Sequence, residues 1–241
     1  MRRKVLWYSV FFVLLVAGFW YFVFKGEDLS KSPLVVINAA VQDFSFTNQD
    51  GKVITEKDVD DKVYVTEYFF TTCKGICPKM NANMRRVFDE YKNEPGFMIL
   101  SHTCMPETDS VPLLKAYEKR MINGKLVQNE DGSYRIEPGN TGLPFTNPNW
   151  NFVTGDKTAL YKMARQSYMI DNNKPDSIQN IADQFIHTQF FALVDKQRRV
   201  RGIYDGLKEY EIQKLLEDIK GLLKEKVDHP RFMNGFSNNP N

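Results

Sequence analysis

At 241 residues the chain has room for one domain of ordinary size plus appendages. A net charge of +2, with 42% apolar and 26% charged residues, is that of a globular protein and too weakly basic to argue for nucleic acid as a partner. Three cysteines are too few for a disulfide scaffold.

The N-terminus opens on a basic cluster, Arg2-Arg3-Lys4, followed by an uncharged apolar run from Val5 to Phe24. As a helix that run rises about 30 Å, the thickness of the bilayer hydrocarbon core. Trp7, Tyr8, Trp20 and Tyr21 sit near its ends, where amphipathic rings favour the interface. The basic cluster predicts a cytoplasmic N-terminus and an extracytoplasmic remainder, the periplasmic face of the inner membrane in a Gram-negative bacterium. A cleaved signal peptide is the rival reading, but Lys25-Gly26-Glu27-Asp28 follows instead of a small-residue cleavage site. No cysteine follows the run, which argues against a lipid anchor. The expected organisation is therefore an anchor over 1–26, a linker over 27–40, a domain over 41–226 and a polar tail over 227–241.

Within the domain, Phe44–Thr47 and Val53–Thr55 alternate around Asn48-Gln49-Asp50-Gly51 and predict a hairpin. Val63–Phe70 and Phe97–Ser101 read as buried strands. Cys77-Pro78 opens a helix in which Met80, Met84, Val87, Phe88 and Tyr91 recur at helical spacing. A second helix runs from Ser110 to Met121. Asn123–Pro148 reads as a polar, turn-rich insertion with a hairpin around Asn129–Gly132. Then come a strand at Asn151–Val153, a helix over Asp156–Tyr168, strands at Phe190–Val194 and Val200–Tyr204, and an amphipathic helix over Lys208–Lys226. Strands alternating with helices predict an α/β fold around a central mixed sheet. A cysteine pair at a strand-to-helix junction makes it thioredoxin-like.

That pair, Cys73 and Cys77, carries the chemistry. It can close a disulfide or hold a soft metal ion between its sulfurs. The helix N-terminus is expected to lower the thiol pKa, and Gly75 to let the intervening loop bend. A third donor is available in His187, just before the Phe190 strand; His229, in the tail, reads as solvated. Two thiolates and one imidazole suit copper, as Cu(I) or Cu(II), better than structural zinc, which usually takes four protein ligands. His102 and Cys104 follow the Phe97 strand at the same sheet edge and could add ligands, but they read better as a loop residue and a small buried hydrophobe.

These residues resemble the Sco/SenC family of copper chaperones, which assist assembly of the dinuclear copper centre of cytochrome c oxidase. The resemblance runs from about Val41 to Leu223. It rests on Phe69-Phe70-Thr71-Thr72-Cys73, on Cys73-x-x-x-Cys77-Pro78, on Trp150–Gly155, on the His187 loop, and on Phe191–Asp195 with Arg201–Gly206. It implies a copper site of Cys73, Cys77 and His187 and a cysteine pair that cycles between dithiol and disulfide. It also implies the copper-bearing oxidase subunit and a thioredoxin-like reductant as partners, with the membrane engaged through the N-terminal helix. Such a protein is a metallochaperone rather than an enzyme; the alternative is a thiol-disulfide oxidoreductase acting on cysteines of the oxidase copper site. A stabilising disulfide in a structural module, and a peroxidase, are weaker readings. The chain departs from the family pattern in three places. Ile186 stands where an aspartate often precedes the histidine, His102–Pro106 replaces a Val-Asp-Pro-like segment, and the 123–148 insertion is long.

Overall fold

A computed structural model describes residues 2–24, 34–140, 142, 148–171 and 188–225. The chain divides into two units, Met1–Leu34 and Val35–Asn241. In the first, helix α1 spans Arg2–Phe24. Beyond the basic Arg2-Arg3-Lys4 start it carries no charge, and it is long and apolar enough to cross a membrane.

The second unit is built on seven strands. Hairpin β1 (Ser45–Asn48) and β2 (Val53–Thr55) leads through a short helix, α2 (Glu56–Val59), into β3 (Val63–Phe69). Helix α3 (Cys77–Tyr91), β4 (Phe97–Thr103) and α4 (Val111–Asn123) follow. The polar stretch after α4 carries a separate two-stranded hairpin, β5 (Lys125–Gln128) and β6 (Tyr134–Glu137). Next come β7 (Trp150–Thr154), α5 (Lys157–Lys162) with a π-helical turn over Met163–Ser167, and β8 (Phe190–Val194). β9 (Val200–Asp205) and α6 (Glu209–Lys224) complete it. The main sheet has the order β2-β1-β7-β4-β3-β8-β9.

β3, β4 and β7 run parallel at its centre, while β1, β2, β8 and β9 pair antiparallel around them. β3 and β4 are buried along their whole length, as central parallel strands covered on both faces must be. The period of two sends alternate side chains to opposite layers. Tyr64, Tyr68, Met98 and Leu100 join Leu160, Tyr161, Ala164 and Tyr168 on one side. Phe69, Trp150 and Phe152 pack with Tyr117 of α4 and Phe88 of α3 on the other. A mixed sheet between helical layers, with a cysteine pair where a central strand passes into a helix, is a thioredoxin-like fold.

Two expectations change in detail. The helix expected over Asp156–Tyr168 is α-helical only to Lys162; from Met163 it widens to π geometry, and Asn38 reaches the freed carbonyls of Gln166 and Ser167 at 3.1 and 2.7 Å. The strand expected to end at Ser101 continues to Thr103, because His102 and Thr103 pair with Tyr68 and Phe69 of β3. The tail expected from Val227 lies outside the described residues.

Candidate functional site: a cysteine pair at the sheet edge

Because β3, β4 and β7 are parallel, their carboxyl ends meet at one edge, the usual place for a site in such sheets. β8 is antiparallel to β3, so its first residues arrive at this edge too. β3 leaves it through a turn closed by the Cys73 N–H, which donates to the Phe70 carbonyl at 3.2 Å. Cys77 is the first residue of α3 and Pro78 the second, where a missing N–H costs no hydrogen bond. Cys73 is half-buried and Cys77 buried.

The two thiols are close enough that each feels the other. Burial pushes the Cys77 thiol well above its ordinary value, and the Cys73 thiol beside it adds to this; a hydrogen bond with the Phe70 backbone offsets part of it. The expected lowering by the helix N-terminus is thus overturned for Cys77. Desolvation of a thiolate outweighs a partial positive charge that acts over one turn. Gly75 is also not the hinge the loop was expected to need. It has no positive φ, and a Cβ built there meets no atom within 4 Å.

Cys104 follows β4 at the same edge and is 3% exposed. Its N–H and its Sγ both reach the Phe69 carbonyl, at 2.9 and 3.2 Å, and burial raises its thiol to about 12. His102 is not a loop residue. It is the sixth residue of β4 and fully buried, stacked on Tyr68 at 5.0 Å and flanked by Phe46 and Tyr168. Its Nδ1 pairs with the Thr66 hydroxyl at 2.9 Å, and burial lowers its pKa to about 3. It is a neutral core residue of the layer on the Tyr68 side of the sheet.

His187 lies outside the described residues, as do Asp183 and Ile186. The residue after it is well tied down. Thr188 is buried, its hydroxyl donates to the Ile170 carbonyl at 2.6 Å, and it accepts from the Phe190 N–H at 3.1 Å. Ile170 precedes the undescribed stretch, so both ends of the His187 segment are fastened to each other. Among the described residues, no group of three or more histidine, cysteine or acidic side chains could by itself hold a metal.

Two buried acids at this edge had no place in the reading of the sequence. Glu67 of β3 is fully buried; its Oε1 accepts from Ser101 at 2.7 Å, and the same hydroxyl accepts from the Trp150 indole at 3.0 Å. Burial raises its carboxyl to about 8, and its charge would act on both Cys77 and Tyr117. The one signal was a charged residue inside an otherwise apolar strand. Asp109, between β4 and α4, is 1% exposed, and nothing local marks it as buried.

The inserted hairpin docks on α3. Arg86 lies 4.2 Å over the Tyr134 ring and pairs with both carboxylate oxygens of Glu209 at 2.6 and 2.7 Å. A polar cleft of about 410 Å³ separates the hairpin turn at Asp131 and Gly132 from Lys79 and Asn83 of α3.

The chain resembles known proteins over nearly all of this unit. The sequence model of the SCO1/SenC family matches residues 37–127 and 142–224, leaving out the hairpin turn and all of β6. A SCO1 protein homolog of Bacillus subtilis is 28% identical over 197 residues, covering 81% of this chain and 87% of that one. The crystal structure of a SCO1/SenC family lipoprotein from Bacillus anthracis superposes with a TM-score of 0.59 at 28% identity, covering 79% of this chain and 99% of that one. BsSco, described as a member of the Sco family of cytochrome c oxidase assembly proteins with a disulfide switch, gives 0.58 at 26% identity, over 80% and 98%. A copper-bound ScoI from Arabidopsis thaliana shares the fold, with 0.50 at 18% identity over 76% and 99%. With the family pattern matched from the first strands to the last helix and its cysteine pair standing at the sheet edge, the chain belongs to the SCO1/SenC family.

Proposed function

We propose that this protein is a membrane-anchored, extracytoplasmic copper chaperone that assists assembly of the copper centre of cytochrome c oxidase. Cys73 and Cys77 hold the cargo with His187 as third ligand. The observation that carries this reading is the placement of two neighbouring free thiols, one of them partly open to solvent, at the strand-to-helix edge of a SCO1/SenC chain. Two soft sulfurs suit Cu(I), and one imidazole completes a three-coordinate set. His187 immediately precedes Thr188, whose tie to Ile170 restricts where a ligand at 187 can reach. Burial holds the proton on Cys77, so loading a metal there releases a proton and weakens as pH falls.

The anchor keeps the cysteine pair near a membrane-embedded partner, the copper-bearing oxidase subunit, and raises its effective concentration there. Recycling after oxidation draws on a thioredoxin-like reductant. The competing role, thiol-disulfide exchange on oxidase cysteines, uses the same pair without His187. The test is anaerobic Cu(I) titration of the reduced full-length protein in detergent. One equivalent should bind tightly, Cys73→Ser and Cys77→Ser should abolish it, and His187→Ala should weaken it by about 10- to 100-fold. Copper binding that survives Cys73→Ser sinks the site. Oxidase assembly that proceeds normally with His187→Ala assigns the pair to thiol exchange instead.

A further inference from the structure

Asp109 is 1% exposed and, among the described residues, has no ion-pair partner. Its carboxylate is satisfied entirely by neutral donors. Oδ1 accepts the Thr71 hydroxyl at 2.5 Å, and Oδ2 accepts the Thr71 N–H at 3.2 Å and the Thr103 hydroxyl at 2.5 Å. The Asp109 backbone is itself rooted in the turn after β4, where its N–H donates to the Met105 carbonyl at 2.9 Å. The Met105 N–H in turn donates to the Thr103 hydroxyl at 3.0 Å.

Burying a carboxylate without a cation costs several kcal/mol before hydrogen bonds offset it. A buried carboxyl group whose oxygens are all engaged is held by short bonds of fixed direction. Here those bonds end on Thr71, two residues before Cys73. One step earlier along the chain, Cys104 grips the Phe69 carbonyl through its N–H and Sγ. The exit of β3 is therefore fastened to the exit of β4 at Phe69 and again at Thr71, and Cys73 comes at the end of the fastened segment.

We propose that Asp109 is the positioning residue of the cysteine pair: its carboxylate clamps Thr71 and so fixes the turn that holds the Cys73 sulfur within reach of Cys77. The proposal rests on reading Cys73 and Cys77 as the working pair. Its direct readout is the dithiol–disulfide equilibrium, in which the reduced pair and one glutathione disulfide give the Cys73–Cys77 disulfide and two glutathione thiols. That constant reports the effective concentration of one thiol at the other.

The experiment measures this equilibrium in the full-length chain in detergent, with the bond located by peptide mass mapping, alongside thermal unfolding. Asp109→Asn retains a single acceptor oxygen for three donors, and Thr71→Val cuts the clamp on the cysteine side. Each should lower the equilibrium constant by about tenfold. The double variant should lower it no further, since both changes break one link. Thr103→Val loses a bond of the same kind on the far side of Asp109. It should lower the unfolding midpoint comparably yet leave the constant within about twofold of wild type. Wild-type constants in both Asp109→Asn and Thr71→Val overturn the proposal, as does an equal shift in Thr103→Val. Cu(I) titration of the same variants separates the two levels: a wild-type chain that binds no copper refutes the chaperone reading, while the glutathione constants still judge Asp109.

Discussion

A thiol in the first turn of a helix feels two opposing influences: the free N–H groups of the helix end favour thiolate, and removal from water favours the neutral thiol. At Cys77 the second prevails, since the residue is 5% exposed and the Cys73 thiol lies beside it. Cys77 therefore rests as a thiol and gives up its proton to a metal or to oxidation. Spacing, strand and helix start were legible around Cys73 and Cys77 in the residues themselves. The direction of the pKa shift was not, because it depends on how deeply tertiary packing buries the sulfur. Gly75 makes the same point in reverse. Glycine suggested a loop that bends there, yet its backbone has no positive φ and its surroundings are open. Gly75→Ala should therefore change stability by less than about 1 kcal/mol and leave copper affinity as it was. A large loss in chemical denaturation would mean that the loop needs glycine after all.

Strand β3 illustrates how an element hides its chemistry. Its apolar, β-branched run identified it as a buried strand, and period-two alternation assigned faces, so Glu67 had to point into one of the two layers. That layer contains Ser101, whose hydroxyl donates to one oxygen and itself accepts from Trp150, while Oε2 has no hydrogen-bond partner among the described residues. The folded carboxyl titrates near 8 against an ordinary 4.5, so the folded state holds its proton where the unfolded chain has lost it. The stability this contributes is fully present below pH 4.5 and is lost as pH rises toward 8. Glu67→Gln mimics the neutral acid at every pH. The variant should match wild type near pH 4 and exceed it by a few kcal/mol near pH 8 in denaturant titrations. A difference that does not grow with pH would show that Glu67 is ionised in the native protein. The π turn after α5 had no such signature. Its helical pattern runs on unbroken, and only the reach of Asn38 to the carbonyls of Gln166 and Ser167 shows where the hydrogen bonding widens.

For the molecule as a whole, the two units make separable contributions. Helix α1 exposes apolar side chains around its circumference, and the cysteine edge is built entirely from the second unit. Deleting residues 1–24 should move the protein from the membrane to the soluble fraction and leave the thermal midpoint unchanged; a lowered midpoint would mean that the helix supports the fold. The apolar run, the strand and helix order and the Cys73–Cys77 spacing were readable from the chain because each is a local pattern of hydrophobicity and turn chemistry. The partners of those cysteines were not. Asp109, Thr71 and Thr103 meet only because parallel β3 and β4 end at the same edge, and His102 is withdrawn from that edge because β4 continues two residues past its apolar run. The Thr71–Asp109 contact joins residues 38 positions apart, and the packing of the sheet against its helices, rather than any local preference, decides it.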